Sequence, residues 1–502
     1  MFRRVSDGKV RYFEKFKDSQ LDILGIRELF SRFTFISFNG NKYDCPVIDA
    51  ALSGYSNRVI KKVSDLLIES DVQPWEVRRT YDLDEFKFRH IDIAPICPLI
   101  DSLKIYAGRI GVTEMMDLPL CPNSTVTQGM RDDLIHYCEL DNRNTAEIAK
   151  ELGHQLNLRE FMSGAYAMDL RSKSDAQAAE AVVKSELLKR FNVDARAPKI
   201  EPGSTFNYVA PSNITFKTDT LKELLHTYCN EPITITETGK CELVFNSDEI
   251  SKLTDEDYES HISAKRLKTL PGFEKWLGSK KKKKKKFNIG SSTYTVGVGG
   301  MHSNEKSTFH ISDEKYIVRE IDVAAFYPNI ILNNKLYPNH IGEPFLSIYR
   351  NLIDQRLEAK RNLKILDPVK DAEEYAKNDA INNSIKIFIN GLFGKLGSKW
   401  SGVYSPNLMA QVTITGQLSL LMLIESLELA GISVVSANTD GIVLKIARDK
   451  INECEEIVKH WEDVTNYTME NTDYSAIYSR DVNNYVAVLN KSAGPNLSLI
   501  HI

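Results

Sequence analysis

The chain has 502 residues, 42% of them hydrophobic and 26% charged, with a formal net charge of −4, so it has enough apolar material for several domain-sized cores. The weakly acidic sum excludes a globally basic nucleic-acid coat but not a local cationic cleft, because binding follows where the charge is placed. No apolar run of about 18 residues occurs, so no membrane span is expected, and Cys 7 in the composition with no CxxC pair indicates neither a zinc site nor a disulfide framework, as in a reducing cytoplasm.

The first elements alternate between strand and helix. The apolar run Phe33 to Phe38 predicts a strand, and Phe38-Asn39-Gly40-Asn41-Lys42-Tyr43-Asp44 leads from it into a helix. Further along, Tyr137-Cys138-Glu139-Leu140-Asp141 reads as helical, which puts Tyr137 and Asp141 on one face at i, i+4. Asp141 taken alone reads as half of a structural ion pair. The stretch from Met168 to Phe287 opens on a helix rich in alanine (Ala176, Ala178, Ala179, Ala181) and passes through the polar segment Asp255 to Ser263; nothing in it assigns a function. Lys280 to Lys286, the one dense charge run, predicts a solvated, disordered loop. Gly299 and Gly300 follow in the run Tyr294 to Ser303, which a plain hairpin also explains.

Residues Tyr316 to Val323 alternate in β fashion, with Tyr316, Val318, Glu320 and Asp322 on one face and Ile317, Arg319, Ile321 and Val323 on the other. The stretch Ala324 to Pro328 ends the strand, since Pro328 cannot donate to a ladder. Asp322 is thereby held at a strand end, rigid yet open to solvent, as a ligand of a hard cation should be. A helix near Ile348 to Leu363 puts Leu352, Arg356, Lys360 and Lys364 on one stripe. In the next helix Asn378, Asn382, Lys386, Asn390 and Gly394 form a polar stripe, backed by Ile381, Ile385, Phe388, Ile389 and Leu392. Lys386 and Asn390 point the same way; an ammonium suits phosphate oxygens, and Gly394 lets a base pair come close to the backbone. Ile432 to Ala437 and Ile442 to Ile446 are strand-like runs joined by Asn438-Thr439-Asp440-Gly441, and Asp-Gly between apolar runs signals a hairpin. Asp440 at that tip, brought beside Asp322, completes a carboxylate pair able to hold two Mg²⁺ ions about 3.5–4 Å apart. One ion would lower the pKa of a primer 3′-hydroxyl and the other would neutralise a triphosphate. These are the parts of a two-metal nucleotidyl transferase.

In this order the motifs resemble those of a family B DNA polymerase of the kind encoded by bacteriophages and mobile elements. Asp322 through Pro328 is similar to the first polymerase motif, Lys386, Asn390 and Gly394 to the finger-helix motif, and Asn438-Thr439-Asp440 to the third, which usually reads Asp-Thr-Asp. The resemblance implies a template-directed enzyme of DNA replication that adds dNTPs to a primer 3′-hydroxyl, with primer-template DNA as partner, in the cytoplasm (the host's, for a viral protein). It implies that Asp322 and Asp440 bind two Mg²⁺ ions, or Mn²⁺, with help from the Val323 carbonyl. It implies that Tyr327 stacks under the incoming sugar and excludes a 2′-hydroxyl, while Arg356, Lys360, Lys386 and Asn390 hold the triphosphate. Gly299 and Gly300 resemble a glycine pair that lets backbone amides approach the template strand. Asn438 departs from the pattern, lowering the local negative charge without removing the principal carboxylate. Upstream, Asn39 to Asp44 and Tyr137 to Asp141 resemble the second and third motifs of proofreading 3′–5′ exonucleases with an RNase H-like sheet. There Asp44 and Asp141 would bind metal, Tyr137 would orient the attacking water, and Asn39 would support the single strand.

The first exonuclease motif, Asp-x-Glu on an opening strand, does not precede Asp44, and beyond Tyr485 the chain leaves no room for a thumb. Leu497 to Ile502 resembles translated sequencing-adapter sequence. The expectation is therefore a fragment of a multidomain α/β and α+β protein. Residues 1–165 form an exonuclease-like domain without its first strand and 166–287 a connecting region. Residues 288–343 and 397–490 hold palm strands, 344–396 helical fingers and 491–502 a tail. The intervals flanking Lys386 and Asn390 lack the insertions of protein-primed relatives, which points to a DNA or RNA primer. A reverse transcriptase or RNA polymerase would share the palm carboxylates but would usually pair aspartates at the hairpin tip and lack the Lys386/Asn390 helix. A non-catalytic nucleic-acid-binding relic would suit Asn438, yet Asp322, Tyr327, Lys386, Asn390 and Asp440 all remain.

Overall fold

The computed structural model describes residues 1–16, 19–70, 72–99, 101–245, 284–490 and 497–501. It is a mixed α/β chain of two compact units, Met1–Val182 with Gln355–Gly391, and Val183–Asp354 with Leu392–Ile502.

In the first unit short strands form two pairs. β1 (Phe2–Arg3) lies antiparallel to β2 (Val10–Arg11), while β3 (Phe35–Ser37) runs parallel to β4 (His90–Asp92) in the register Ser37↔Asp92. A parallel pair needs a long crossover, and the helices Asp44–Leu52, Asn57–Glu69 and Pro74–Thr80 supply it. Aromatic rings close the core beneath: Phe30 stacks on Phe88 at 4.2 Å, with Phe2, Phe35 and Phe86 around them. Among the described residues these two pairs are the whole β content of residues 1–165, a narrower sheet than the RNase H-like one expected.

The expected finger helices are Pro344–Ile365 and Ala372–Leu396. The second buries Ile385, Phe388, Ile389 and Leu392 and leaves Lys386, Asn390 and Gly394 exposed, as the periodicity predicts. The stripe fails at its N-terminal end. Asn378 is buried, accepts from Asn362 Nδ2 at 3.0 Å and donates to the Glu374 carbonyl at 2.8 Å, so it ties the two helices together instead of facing solvent. Leu352, placed on the cationic stripe by spacing, is likewise buried.

The second unit has a small antiparallel sheet, β5 (Thr205–Phe206), β6 (Ile233–Ile235) and β7 (Cys241–Glu242), and a large one. The large sheet takes in β8 (Lys285–Ile289), β9 (Ser292–Val296), β10 (His302–Ser303), β11 (Thr308–Ile311) and β12 (Tyr316–Val323). It is completed by β13 (Ser433–Asn438), β14 (Gly441–Ala447), β15 (Met469–Asp481), β16 (Asn484–Leu489) and β17 (Leu497–His501). The order is β17-β16-β15-β12-β14-β13-β10-β9-β8, with β11 on β15. Three expectations change here. Lys285 and Lys286 lie on a strand, while Lys280 to Lys283 and the segment Asp255 to Ser263 fall outside the described residues. Leu497–His501, set aside as adapter-like, pairs with β16 in the register Asn484↔His501. And the region 397–490, read as palm strands, contains the helix Pro406–Leu429.

That helix is apolar on every side, so its sequence shows no period. Among the described residues it alone is long and apolar enough to cross a membrane, but 83% of its most apolar stretch is buried inside the protein. Its buried polar groups are all paired. Thr415 meets the Tyr208 hydroxyl at 3.0 Å, the Ser419 side chain is hydrogen-bonded to Tyr467 while its carbonyl accepts from Trp461 Nε1 at 2.8 Å, and Glu425 accepts from the backbone of Lys217 and Thr218.

Candidate active site

Strand β12 ends in the middle of the large sheet, between β14 and β15. There Asp322 is in register with Gly441 on one side and Glu470 on the other, and the Val323 N–H donates to the Asp440 carbonyl at 2.9 Å. The turn of the β13–β14 hairpin is only Thr439 and Asp440, so Asn438 is the last residue of β13 and not part of the loop, as the sequence reading had it. A side chain at position 441 would land on Asp322 Oδ1. Glycine there lets the Asp322 carboxylate lie against the tip.

The charge around Asp322 is one-sided. Burial, then the carboxylates of Glu320, Asp440 and Glu470, push its pKa up to about 7. Glu320, two residues back on the same face, is raised by burial and partly relieved by a hydrogen bond from the Tyr474 hydroxyl. Crowded oxygen ligands with like charges are a donor set for a hard divalent cation. Among the described residues no three His, Cys, Asp or Glu side chains converge on one ion.

Tyr327 is in the first turn of the helix Phe326–Asn333, reached through Ala325 in the left-handed region at φ 49. Pro328 thus sits inside a helical first turn, where its missing N–H costs nothing, and does not simply break the strand. The Tyr327 ring meets Phe393 at 4.5 Å, and its hydroxyl is pushed up to about 12 by burial and the charge of Asp440. Gly416 leaves room for the ring, since a Cβ there would come within 3.3 Å of Tyr327 Cε1.

The glycine run lies beside the tip. β10 pairs with β13 at His302↔Asn438, and Thr439 N–H donates to the Met301 carbonyl at 2.9 Å. A Cβ at Gly300 would sit 2.7 Å from Thr439 Oγ1. Helix Pro406–Leu429 takes up the run's carbonyls: Gln417 Nε2 donates to Gly297 O at 2.7 Å and to Gly299 O, and Thr413 Oγ1 donates to Val298 O at 2.7 Å. The run borders a cavity of about 690 Å³ that Lys240 and Lys284 also line.

Asp322, Asp440, Tyr327 and the glycine pair therefore share the second unit, whereas Arg356, Lys360, Lys386 and Asn390 belong to the first. Arg356 Nε donates to Asn382 Oδ1 at 3.3 Å, and Lys360, Lys386 and Asn390 are exposed. Sequence reading gave no role to Glu320, His302 or Gln417, whose neighbours come from distant strands and helices.

In the first unit Asn39 has φ 64 and donates its N–H to Asp92 Oδ1 at 2.7 Å, while Asn41 N–H reaches Asp92 Oδ2 at 3.0 Å. The buried Asp92 carboxylate thus shapes the turn that leads to Asp44, the first residue of helix Asp44–Leu52. Tyr137 and Asp141 share a face of helix Gln128–Glu151, as expected, and are hydrogen-bonded. Burial raises the Asp141 pKa, and its Oδ1 is buried with no hydrogen-bond partner among the described residues. An orphaned carboxylate oxygen of this kind suits a cation.

No family model matches the chain. DNA polymerase 1 of Pyrococcus abyssi is 24% identical over 185 residues, which cover 32% of this chain and 24% of that protein. Among solved structures, the family B DNA polymerase from the hyperthermophilic archaeon Pyrobaculum calidifontis is similar with a TM-score of 0.46 at 16% identity, over 99% of this chain and 56% of that one. The chain thus spans well under two thirds of the length of either protein.

Proposed function

We propose that this chain is a template-directed DNA polymerase of the family B kind, which extends a primer 3′-hydroxyl with dNTPs in DNA replication and has an associated 3′–5′ exonuclease. One observation supports this most: the register of β12 against β14 sets Asp322 beside the hairpin tip of Asp440, with the carboxylates of Glu320 and Glu470 also near Asp322. Asp322, Asp440 and the Val323 carbonyl would hold Mg²⁺ or Mn²⁺. When bound, the ions supply Lewis acidity toward the primer hydroxyl and the triphosphate. The chain's own part is to orient: β12 and the hairpin fix the two carboxylates, Tyr327 bounds the sugar pocket, and the amides of Gly299 and Gly300 meet the template. Arg356, Lys360, Lys386 and Asn390, with Gly394, would hold the triphosphate and the nascent base pair, a proposal that rests on their helical spacing. Asp44 and Asp141 would be the metal ligands of the exonuclease, with Tyr137 orienting water and Asn39 supporting the strand; the orphaned Asp141 oxygen supports that part.

The test is primer extension with dNTPs by the full-length protein. Asp322→Ala and Asp440→Ala should each lower single-turnover extension by about 10³-fold, the scale of losing a transition-state charge contact, while duplex affinity, which backbone phosphates dominate, stays within a few-fold. Either variant extending at the parental rate would remove the two-metal assignment. Asp141→Ala should abolish degradation of single strands and leave extension intact.

A further inference from the structure

We propose that His302 and Asn483 are positioning residues: they clamp the amide of Asn438 from two sides and so fix the hairpin tip that bears Asp440, a role in catalysis that rests on the polymerase reading above. A carboxamide offers one acceptor oxygen and two N–H donors, and here both ends are engaged. Asn438 Oδ1 meets His302 Nδ1 at 2.8 Å and accepts from Thr439 Oγ1 at 3.2 Å. Asn438 Nδ2 donates to Asn483 Oδ1 at 3.3 Å. An acceptor at Asn438 Oδ1 requires the proton on Nδ1 of His302. The three side chains come from the start of β10, the end of β13 and the turn between β15 and β16, segments distant in sequence that only the sheet brings together.

The tip needs such a clamp. Thr439 has φ 53, in the left-handed region that a β-branched residue disfavours. A strained turn holds its shape only where its surroundings over-determine it. Its N–H is held by Met301 and its hydroxyl by Asn438, so the conformation of the residue next to Asp440 depends on where the Asn438 amide points. The turn on the far side is itself secured. Asn483 N–H and Asn484 Nδ2 both donate to Asp481 Oδ1, at 3.1 and 2.7 Å. Both ends of the amide are used, which explains how an amide serves at position 438.

The geometry makes the test specific. Asparagine can place a donor near the position of Nδ1, whereas glutamine carries its amide to that of Nε2. In the full-length protein His302→Ala, His302→Gln and Asn483→Ala should each speed hydrogen exchange at the amides of Thr439 to Ile442 about tenfold and slow single-turnover extension about tenfold, the worth of one lost hydrogen bond. Melting temperature should fall by only about 2 °C, and duplex affinity should not move. His302→Asn, which keeps the donor, and Asn483→Asp, which keeps the acceptor, should stay near the parental values. Parental exchange and extension in His302→Ala and Asn483→Ala would overturn the proposal, as would equal damage in all five variants. Should the parental protein fail to extend primers, the polymerase reading falls, while hydrogen exchange still decides whether the clamp exists.

Discussion

Gly441 lets the Asp322 carboxylate lie against the hairpin tip, because any side chain there would occupy the place of Asp322 Oδ1. The same economy of space governs Tyr327. Its ring packs between Phe393 and the bare backbone of Gly416, and in the proposed site it bounds the sugar. Tyr327→Val should therefore raise ribonucleotide use relative to deoxyribonucleotide use by about 10- to 100-fold, since removing a clash changes the difference between two transition-state energies. Single-turnover extension with matched dNTP and rNTP pairs measures it, and an unchanged ratio would take Tyr327 out of that role.

At the scale of elements, helix Pro406–Leu429 organises the glycine run. Gln417 uses its whole amide there: Nε2 donates to Gly297 O and Gly299 O, and Oε1 accepts from Gly297 N–H at 3.3 Å and the Tyr228 hydroxyl at 3.0 Å. Gln417→Leu fills the same volume but strands buried polar groups, at about 1–3 kcal/mol each. A loss of about 2–4 kcal/mol in urea denaturation is expected, with faster hydrogen exchange at Gly297 to Gly300. A loss below about 0.5 kcal/mol would mean that the run is held by other contacts. This helix also marks where the sequence stops being readable. The Lys386/Asn390 face was legible because one side of its helix is buried, leaving a period of about 3.6 in the chain, and the Asp440 hairpin because Asp-Gly joins two apolar runs. Strand Tyr316–Val323 alternates in sequence although it buries Val318 on one face and Ile321 and Val323 on the other. A helix buried all round leaves no period, and so 406–429 passed for strand. Asn378 misled for the converse reason, a polar residue at the right spacing that is buried because Asn362 satisfies it. His302, Asn483 and Gln417 were invisible, since each gains its meaning from a partner that only the folded sheet brings near.

On the scale of the whole molecule, two compact units imply unfolding that need not be two-state, and a titrating group can be assigned to one of them. His90, on β4 of the first unit, meets Ser37 Oγ through Nε2 at 2.7 Å and Cys45 Sγ through Nδ1 at 3.8 Å. Burial lowers its pKa, and the charge of Asp92 only partly opposes this. The unfolded chain then takes up the proton more readily than the folded one, so the stability His90 contributes is present above its unfolded value of about 6.5 and is lost as pH falls through the folded value. Carboxylates such as Asp49 and Asp141, raised by burial, act with the opposite slope and must be cancelled out. His90→Gln does this, because it keeps an amide near Nε2 for Ser37 and cannot titrate while every other group stays. The stability difference between the parental protein and His90→Gln, read by hydrogen exchange at Phe35 to Ser37 and His90 to Asp92, should be constant above about pH 7 and should shift in favour of the variant toward about pH 5. Amides of β12 and β14 in the second unit should show no such difference. A pH-independent gap at Phe35 to Ser37 would mean that His90 titrates alike in the folded and unfolded chains.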